Sequence, residues 1–138
     1  MRDIEFRGKD IETGKWAFGS LLIREEKSPV PETTETYKKY FIVNGGFENY
    51  EYEVIPETVG QYTGLKDKNG AKIFEGDTLH IEDRYCENGI EFDIEFDEDS
   101  CCYISLGTNI EINRENMLMC EVIGNIQDNP ELLRVNNS

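Results

Sequence analysis

Histidine is almost missing from this chain: His80 is the only one in 138 residues. A Ser-His-Asp or Cys-His nucleophile system would have to use it as the base, and no spacing in the sequence sets a nucleophile beside it. The cysteines suggest no site either. Cys86, Cys101, Cys102 and Cys120 form neither a C-x-x-C pair nor a zinc-ligand spacing, so they read as reduced structural thiols, and no metal site is expected. The adjacent Cys101 and Cys102 point to opposite faces of any regular strand, so joint chelation would need irregular backbone there. Positive charge is in short supply: 14 basic residues stand against 29 acidic ones, a formal charge of −15. Such a field repels the phosphate backbone that supplies most nonspecific nucleic-acid affinity, which disfavours direct DNA or RNA binding by the monomer. No apolar run approaches the roughly 20 residues needed to cross a bilayer, and the opening Met1-Arg2-Asp3-Ile4-Glu5-Phe6 lacks the apolar stretch of a signal peptide. A cytoplasmic protein with no membrane partner is expected.

What is present is period-two alternation. The length and mass, 16.0 kDa, suit one domain, or a compact domain with a smaller β appendage. Apolar residues make up 38% of the chain and recur throughout it, so a folded core is the expectation. No window holds a helical i, i+3, i+4, i+7 pattern, which predicts a mainly β protein. Ile4 and Phe6 alternate with Glu5 and Arg7, Glu12-Thr13-Gly14-Lys15 makes a turn, and Trp16 to Ile23 returns as a second strand. Arg24 to Thr36, with Pro29 and Pro31, reads as an exposed, mobile loop. Tyr37 to Val43 and Phe47 to Ile55 are joined by Asn44-Gly45-Gly46 into a second hairpin.

Lys66-Asp67-Lys68-Asn69-Gly70 is a turn. It starts like a calcium loop, but the later ligands and the closing Glu do not follow at the required spacing. In Thr78 to Ile81 the alternation turns Leu79 and Ile81 inward and Thr78 and His80 outward. After an acidic bend from Glu82 to Gly89, Ile90 to Asp97 alternates without a fault and is the clearest strand. Cys102 to Leu106 is a further strand, Asn113 to Asn116 a polar bend, and Glu121 to Ile126 a closing strand. Asp128-Asn129-Pro130 sets an Asx residue before a proline at a first helical position, which predicts one short C-terminal helical turn.

The run Pro56-Glu57-Thr58-Val59-Gly60-Gln61-Tyr62-Thr63-Gly64-Leu65-Lys66-Asp67-Lys68-Asn69-Gly70, followed by Ile73-Phe74-Glu75-Gly76-Asp77, resembles the signature of the YopX family. Both ends of the chain resemble it as well, through Ile4-Glu5-Phe6-Arg7 with Gly14-Lys15-Trp16 and through Glu121-Val122-Ile123-Gly124-Asn125-Ile126 with Asn129-Pro130-Glu131-Leu132-Leu133. The resemblance implies an origin in temperate phages and prophages of low-GC Gram-positive bacteria, a small SH3-like β-barrel core and self-association. It brings no catalytic residues. On this reading residues 1–55 contribute hairpins and 56–138 the barrel, with one domain 1–138 as the alternative.

Glu91, Asp93, Glu95 and Asp97 fall on one side of a single strand, about 7 Å apart. A solvated, aggregation-blocking face is the first reading, and a surface for a basic partner the second. Divalent-metal or paired-carboxylate chemistry comes last, because a raised carboxyl pKa needs an apolar pocket that the sequence does not indicate. Gly60, Gly64, Gly70 and Gly76 serve turns, since no phosphate-loop pattern accompanies them. Trp16, Tyr37, Tyr40, Phe41, Phe47, Tyr50 and Tyr52 make an aromatic set suited to core packing or a subunit interface, and Trp16 and Tyr62 are candidate contacts. The expectation is a non-enzymatic, cofactor-free interaction module that binds itself and an unidentified host or phage protein. The alternatives are a nucleic-acid-binding module that gathers Lys38, Lys39, Lys66, Lys68 and Lys72, and an acidic DNA mimic that inhibits a host DNA-binding protein.

Overall fold

A computed structural model describes residues 3–45 and 50–129. The chain divides into two compact units, one of Ile4–Gln61 and one of Tyr62 onward with Asp3. The sequence reading divides it after Ile55; the structural division falls six residues later, within strand β5 (Gly60–Lys66).

The N-terminal unit is an antiparallel meander of β1 (Phe6–Lys9), β2 (Trp16–Lys27), β3 (Thr36–Asn44) and β4 (Tyr50–Val54), with Gly60 and Gln61 pairing on the free side of β1. The β1–β2 turn is built by Asp10, whose Oδ1 accepts the amides of Glu12 and Thr13 at 2.7 and 3.3 Å. Ala17, Ile42 and Val54 are buried on the inner face, with Phe6, Leu21, Tyr40, Tyr52 and Val59 packed against them. Burying one such aliphatic side chain is worth about 1.5–3 kcal/mol. Gly8 is required by this packing: a Cβ there would sit 2.9 Å from Val54.

The loop expected from Arg24 to Thr36 is shorter, running from Ser28 to Glu35. Arg24 to Lys27 continue β2, opposite Lys39 to Thr36. Charge on these residues reads as loop, but across the ladder it is a pairing code. Glu25 faces Lys38, the Tyr37 hydroxyl donates to Glu26, and Lys39 reaches Glu26 at 3.5 Å. Of the Asn44-Gly45-Gly46 hairpin turn and its Phe47 flank, residues 46–49 lie outside the described residues, as does the expected helical turn at 130–133.

The C-terminal unit holds the rest of β5 paired with β6 (Lys72–Phe74) and an antiparallel sheet of β7 (Asp77–Asp83), β8 (Cys86–Asp97), β9 (Cys102–Leu106) and β10 (Cys120–Asn125), in the order β10-β7-β8-β9. Ile73, Leu79, Phe92, Ile94, Met117 and Cys120 form its core. An SH3-like barrel would need this sheet to close. It is open instead: β9 and β10 are its two edges, and no pairing among the described residues joins them. After β9 the chain passes through α1 (Arg114–Met117) to enter β10 beside β7, on the opposite edge. The polar bend at Asn113–Asn116 is this one-turn helix, N-capped by the Asn113 side chain, which accepts the Asn116 amide at 2.8 Å.

The structure departs from two further expectations. Glu82 to Gly89 is mostly strand, with only Arg84 and Tyr85 between β7 and β8. Gly89, read as a turn, has a φ of 72° inside β8, and a Cβ there would meet His80 at 2.5 Å. Thr78 is fully buried, not outward, because β7 and β8 are the central strands and are covered on both faces at that level.

Candidate functional site

Four polar residues of the signature segment, Thr58, Thr63, Asp67 and Asp77, are consumed by the fold. Thr58 Oγ1 accepts the Lys9 amide at 2.9 Å and donates to the Ile55 carbonyl. Thr63 Oγ1 donates to the Ile73 carbonyl at 2.8 Å. Asp67 is only 2% exposed: Oδ1 accepts the amides of Asn69 and Ala71 at 2.8 and 2.9 Å, and Oδ2 accepts that of Val122 at 2.9 Å. Its carboxylate therefore closes the β5–β6 turn and ties it to β10, with both oxygens engaged. Asp77, equally buried, accepts the Phe74 amide at 2.7 Å. Asn125 holds the following turn by accepting from Gln127 and Asp128.

The four carboxylates of β8 meet four different surroundings. Asp93 is buried, 4% exposed, and accepts the Thr78 hydroxyl at 2.6 Å. Glu91 is half-buried opposite His80. Glu95 is exposed opposite Ile104. Asp97 accepts the Ser100 hydroxyl at 2.6 Å and the Asp99 amide at 3.4 Å, and the Ser100 bond in particular holds its carboxyl below the ordinary value of 3.8. The solvated ladder is thus interrupted at Asp93. Alternation alone could not reveal this, because it does not tell a central strand from an edge strand.

Trp16 lies on the outer face of the N-terminal sheet, the face turned away from Ile42 and Val54. Arg7 and Lys9 stand over its ring at 4.6 and 5.5 Å from the centroid. Register places Phe18, Leu22, Phe41, Val43 and Tyr37 on the same face. Arg24 lies over Phe41 at 4.8 Å and reaches Glu51 at 2.7 Å, and Lys39 is 5.9 Å from the Tyr37 ring. Phe18 and Tyr37 remain 43% and 40% exposed. Beside this face a groove of about 350 Å³ is lined by Asp10, Trp16, Phe18, Asn44 and Tyr52. The cations Arg7, Lys9 and Arg24 were not singled out from the sequence. The signal was available: Arg7 and Lys9 share a period-two phase, and the hairpin register sets them opposite Phe18 and Trp16.

Tyr62 is in the C-terminal unit, its ring packed 5.6 Å from that of Phe74 and lining a second cleft of about 340 Å³. Of the cysteines, Cys86, Cys101 and Cys102 are exposed, and Cys120 is buried with its thiol donating to the Asn116 carbonyl at 3.2 Å. Burial, followed by the charge of Asp67, pushes the Cys120 thiol up to about 11. Cys101 does have irregular backbone, with φ at 55°, but its thiol lies against the Glu98 carbonyl and that of Cys102 against the Ser100 hydroxyl. Among the described residues no group of three or more His, Cys, Asp or Glu could hold a metal ion, and no helix is long and apolar enough to cross a membrane.

These features define the class: a mostly β protein of two antiparallel sheets in which the distinctive sequence segment is a set of turn and strand-end locks. The chain belongs to the YopX protein family, whose model matches residues 5–134. Among solved structures, protein EF1440 from Enterococcus faecalis shares the fold at 23% identity, with a TM-score of 0.58 over 97% of this chain and 100% of its own. No curated protein matches the chain.

Proposed function

We propose that this YopX protein is a non-enzymatic, phage- or prophage-derived interaction module that works in the host cytoplasm as a homo-oligomer and binds a host or phage protein. The observation that carries this reading is the outer face of the N-terminal sheet. A sheet in water keeps one apolar face; this one has aromatic and aliphatic side chains on both. On its outer face cations and carboxylates also alternate, Arg24 and Lys39 with Glu26, Glu51 and Glu53. A face that carries both signs can meet its own copy across a two-fold axis, cation to carboxylate. Aromatic residues and arginine are the types enriched in such interfaces. Sedimentation velocity tests the reading: the wild type is expected well above 16.0 kDa, and Phe18→Glu is expected at the monomer mass with unchanged circular dichroism. A wild type that stays monomeric at about 100 μM would overturn it.

A second reading has one observation in its favour, the stacking of Arg24 and Lys39 on aromatic rings, because basic and aromatic residues on a sheet face also suit single-stranded nucleic acid. The overall charge weighs against it, and Lys39 and Lys68 are already paired with Glu26 and Glu121. Fluorescence anisotropy with a labelled oligonucleotide at low salt decides between the two. Charge mimicry of DNA loses support because the carboxylate series on β8 is broken at Asp93.

A further inference from the structure

The C-terminal unit carries 17 acidic and six basic residues from position 62 on, so a cation there has many possible partners. Two do without. The cleft of about 340 Å³ is lined by Tyr62, Gly64, Leu65, Lys66, Arg114 and Leu118, and among the described residues neither Lys66 nor Arg114 has a carboxylate within ion-pair distance, whereas Lys68 in the same turn pairs with Glu121. Tyr62 is 95% buried (5% exposed), yet its hydroxyl makes no hydrogen bond among the described residues. Its ring packs against that of Phe74, and the Lys72 ammonium stands 5.4 Å from its centroid. The cleft therefore gathers two unpaired cations and one hydroxyl donor, walled by Leu65 and by Leu118, which is 52% exposed.

We propose that this cleft is a binding site for a small phosphate monoester with an apolar body. Two like charges on one cleft repel each other, and a dianion relieves both at once. Arginine offers a fork to two phosphate oxygens, lysine a point charge, and a tyrosine hydroxyl a neutral donor. The leucine walls would cover the organic part, and the volume lies within the range of small-molecule sites. The acidic surroundings repel anions at long range, but at physiological salt that field is screened beyond about 8 Å, so contact-range cations decide.

Isothermal titration calorimetry on the full chain, with phenyl phosphate, adenosine 5′-monophosphate, inorganic phosphate and phenol as probes, tests the proposal. Saturable binding of a phosphate monoester, tighter than inorganic phosphate and absent for phenol, is expected. The phenyl and adenosine arms separate an aryl phosphate from a nucleotide. Lys66→Gln and Arg114→Gln should each weaken binding about tenfold without a change in melting temperature, since both side chains are exposed, and Tyr62→Phe should weaken it less. Binding should also decline as the pH falls below about 6, where the phosphate takes its second proton. No binding by any phosphate, or equal binding by the Lys66→Gln/Arg114→Gln double variant, would overturn the site. A preference for inorganic phosphate would overturn the apolar-body assignment.

Discussion

Removing the carboxylate of Asp67 should unfold the C-terminal unit's turn architecture far more than a substitution at a surface turn normally does. In Asp67→Ala three backbone amides, those of Asn69, Ala71 and Val122, lose their acceptor together. A hydrogen bond to a charged group contributes about 1.5–3 kcal/mol, and an amide left without an acceptor in the interior costs about 1–3 kcal/mol. Asn69 and Ala71 are exposed, so water takes over part of their bonding. The half-buried Val122 amide on β10 is less well served, and about 3 kcal/mol in total is the expected loss. Asp67→Asn keeps one oxygen but turns an NH2 group toward one of the amides, so about 1–2 kcal/mol is expected. With overall stabilities of about 5–15 kcal/mol, the alanine change is a large fraction of the whole. Urea unfolding measures it, and two probes are needed. Trp16, the sole tryptophan, reports on the N-terminal unit, and far-UV circular dichroism on both. The dichroism midpoint should fall by about 1–3 M in Asp67→Ala, given slopes of about 1–3 kcal/mol/M. An Asp67→Ala protein within 1 kcal/mol of the wild type would refute the reasoning that the signature residues exist to lock turns.

Thr78→Val should cost about 2–3 kcal/mol, because it leaves the buried Asp93 carboxylate without the hydroxyl at 2.6 Å; a change under 0.5 kcal/mol by urea titration would contradict that. Ser100→Ala should raise the Asp97 pKa toward 3.8 in an NMR titration. Because the folded value is depressed, the bond adds stability above the unfolded pKa that is lost as pH falls through the folded one, so the variant should lose stability near neutral pH and not at pH 2. Three thiols should react quickly with Ellman's reagent at pH 8 and Cys120 only on unfolding. Its thiol is raised to about 11, so the stability that it contributes is complete below pH 9 and lost between pH 9 and 11. Cys120→Ala should flatten that alkaline decline.

Strands whose character rests on local alternation were legible in the sequence: Phe6 with Arg7, Trp16 to Ile23, and above all Ile90 to Asp97. Strand length was less so. Arg24 to Lys27 are charged enough to read as loop, and only the opposite strand supplies the partners that make them sheet. Gly89 shows the converse, since glycine after asparagine is a turn signal until one knows that His80 occupies the space a side chain would need. The open sheet was not legible, because whether β9 pairs with β10 depends on the path of residues 107–119 around the core. Of the site residues, Trp16 and Tyr62 line grooves. Glu91, Asp93, Glu95 and Asp97 differ in burial for a reason that lies in neighbouring strands. The cations over the N-terminal aromatics were recoverable from hairpin register, whereas the joining of Lys66 with Arg114 depends on tertiary contact over 48 positions of sequence.

The most direct test of the account is a dilution series of 1H–15N correlation spectra on the wild-type chain. If the outer face of the N-terminal sheet is where copies meet, the amide signals that shift with concentration will map to Trp16, Phe18, Leu22, Phe41 and Val43. Spectra that do not change with concentration, or shifts confined to β8 and β9, would contradict it.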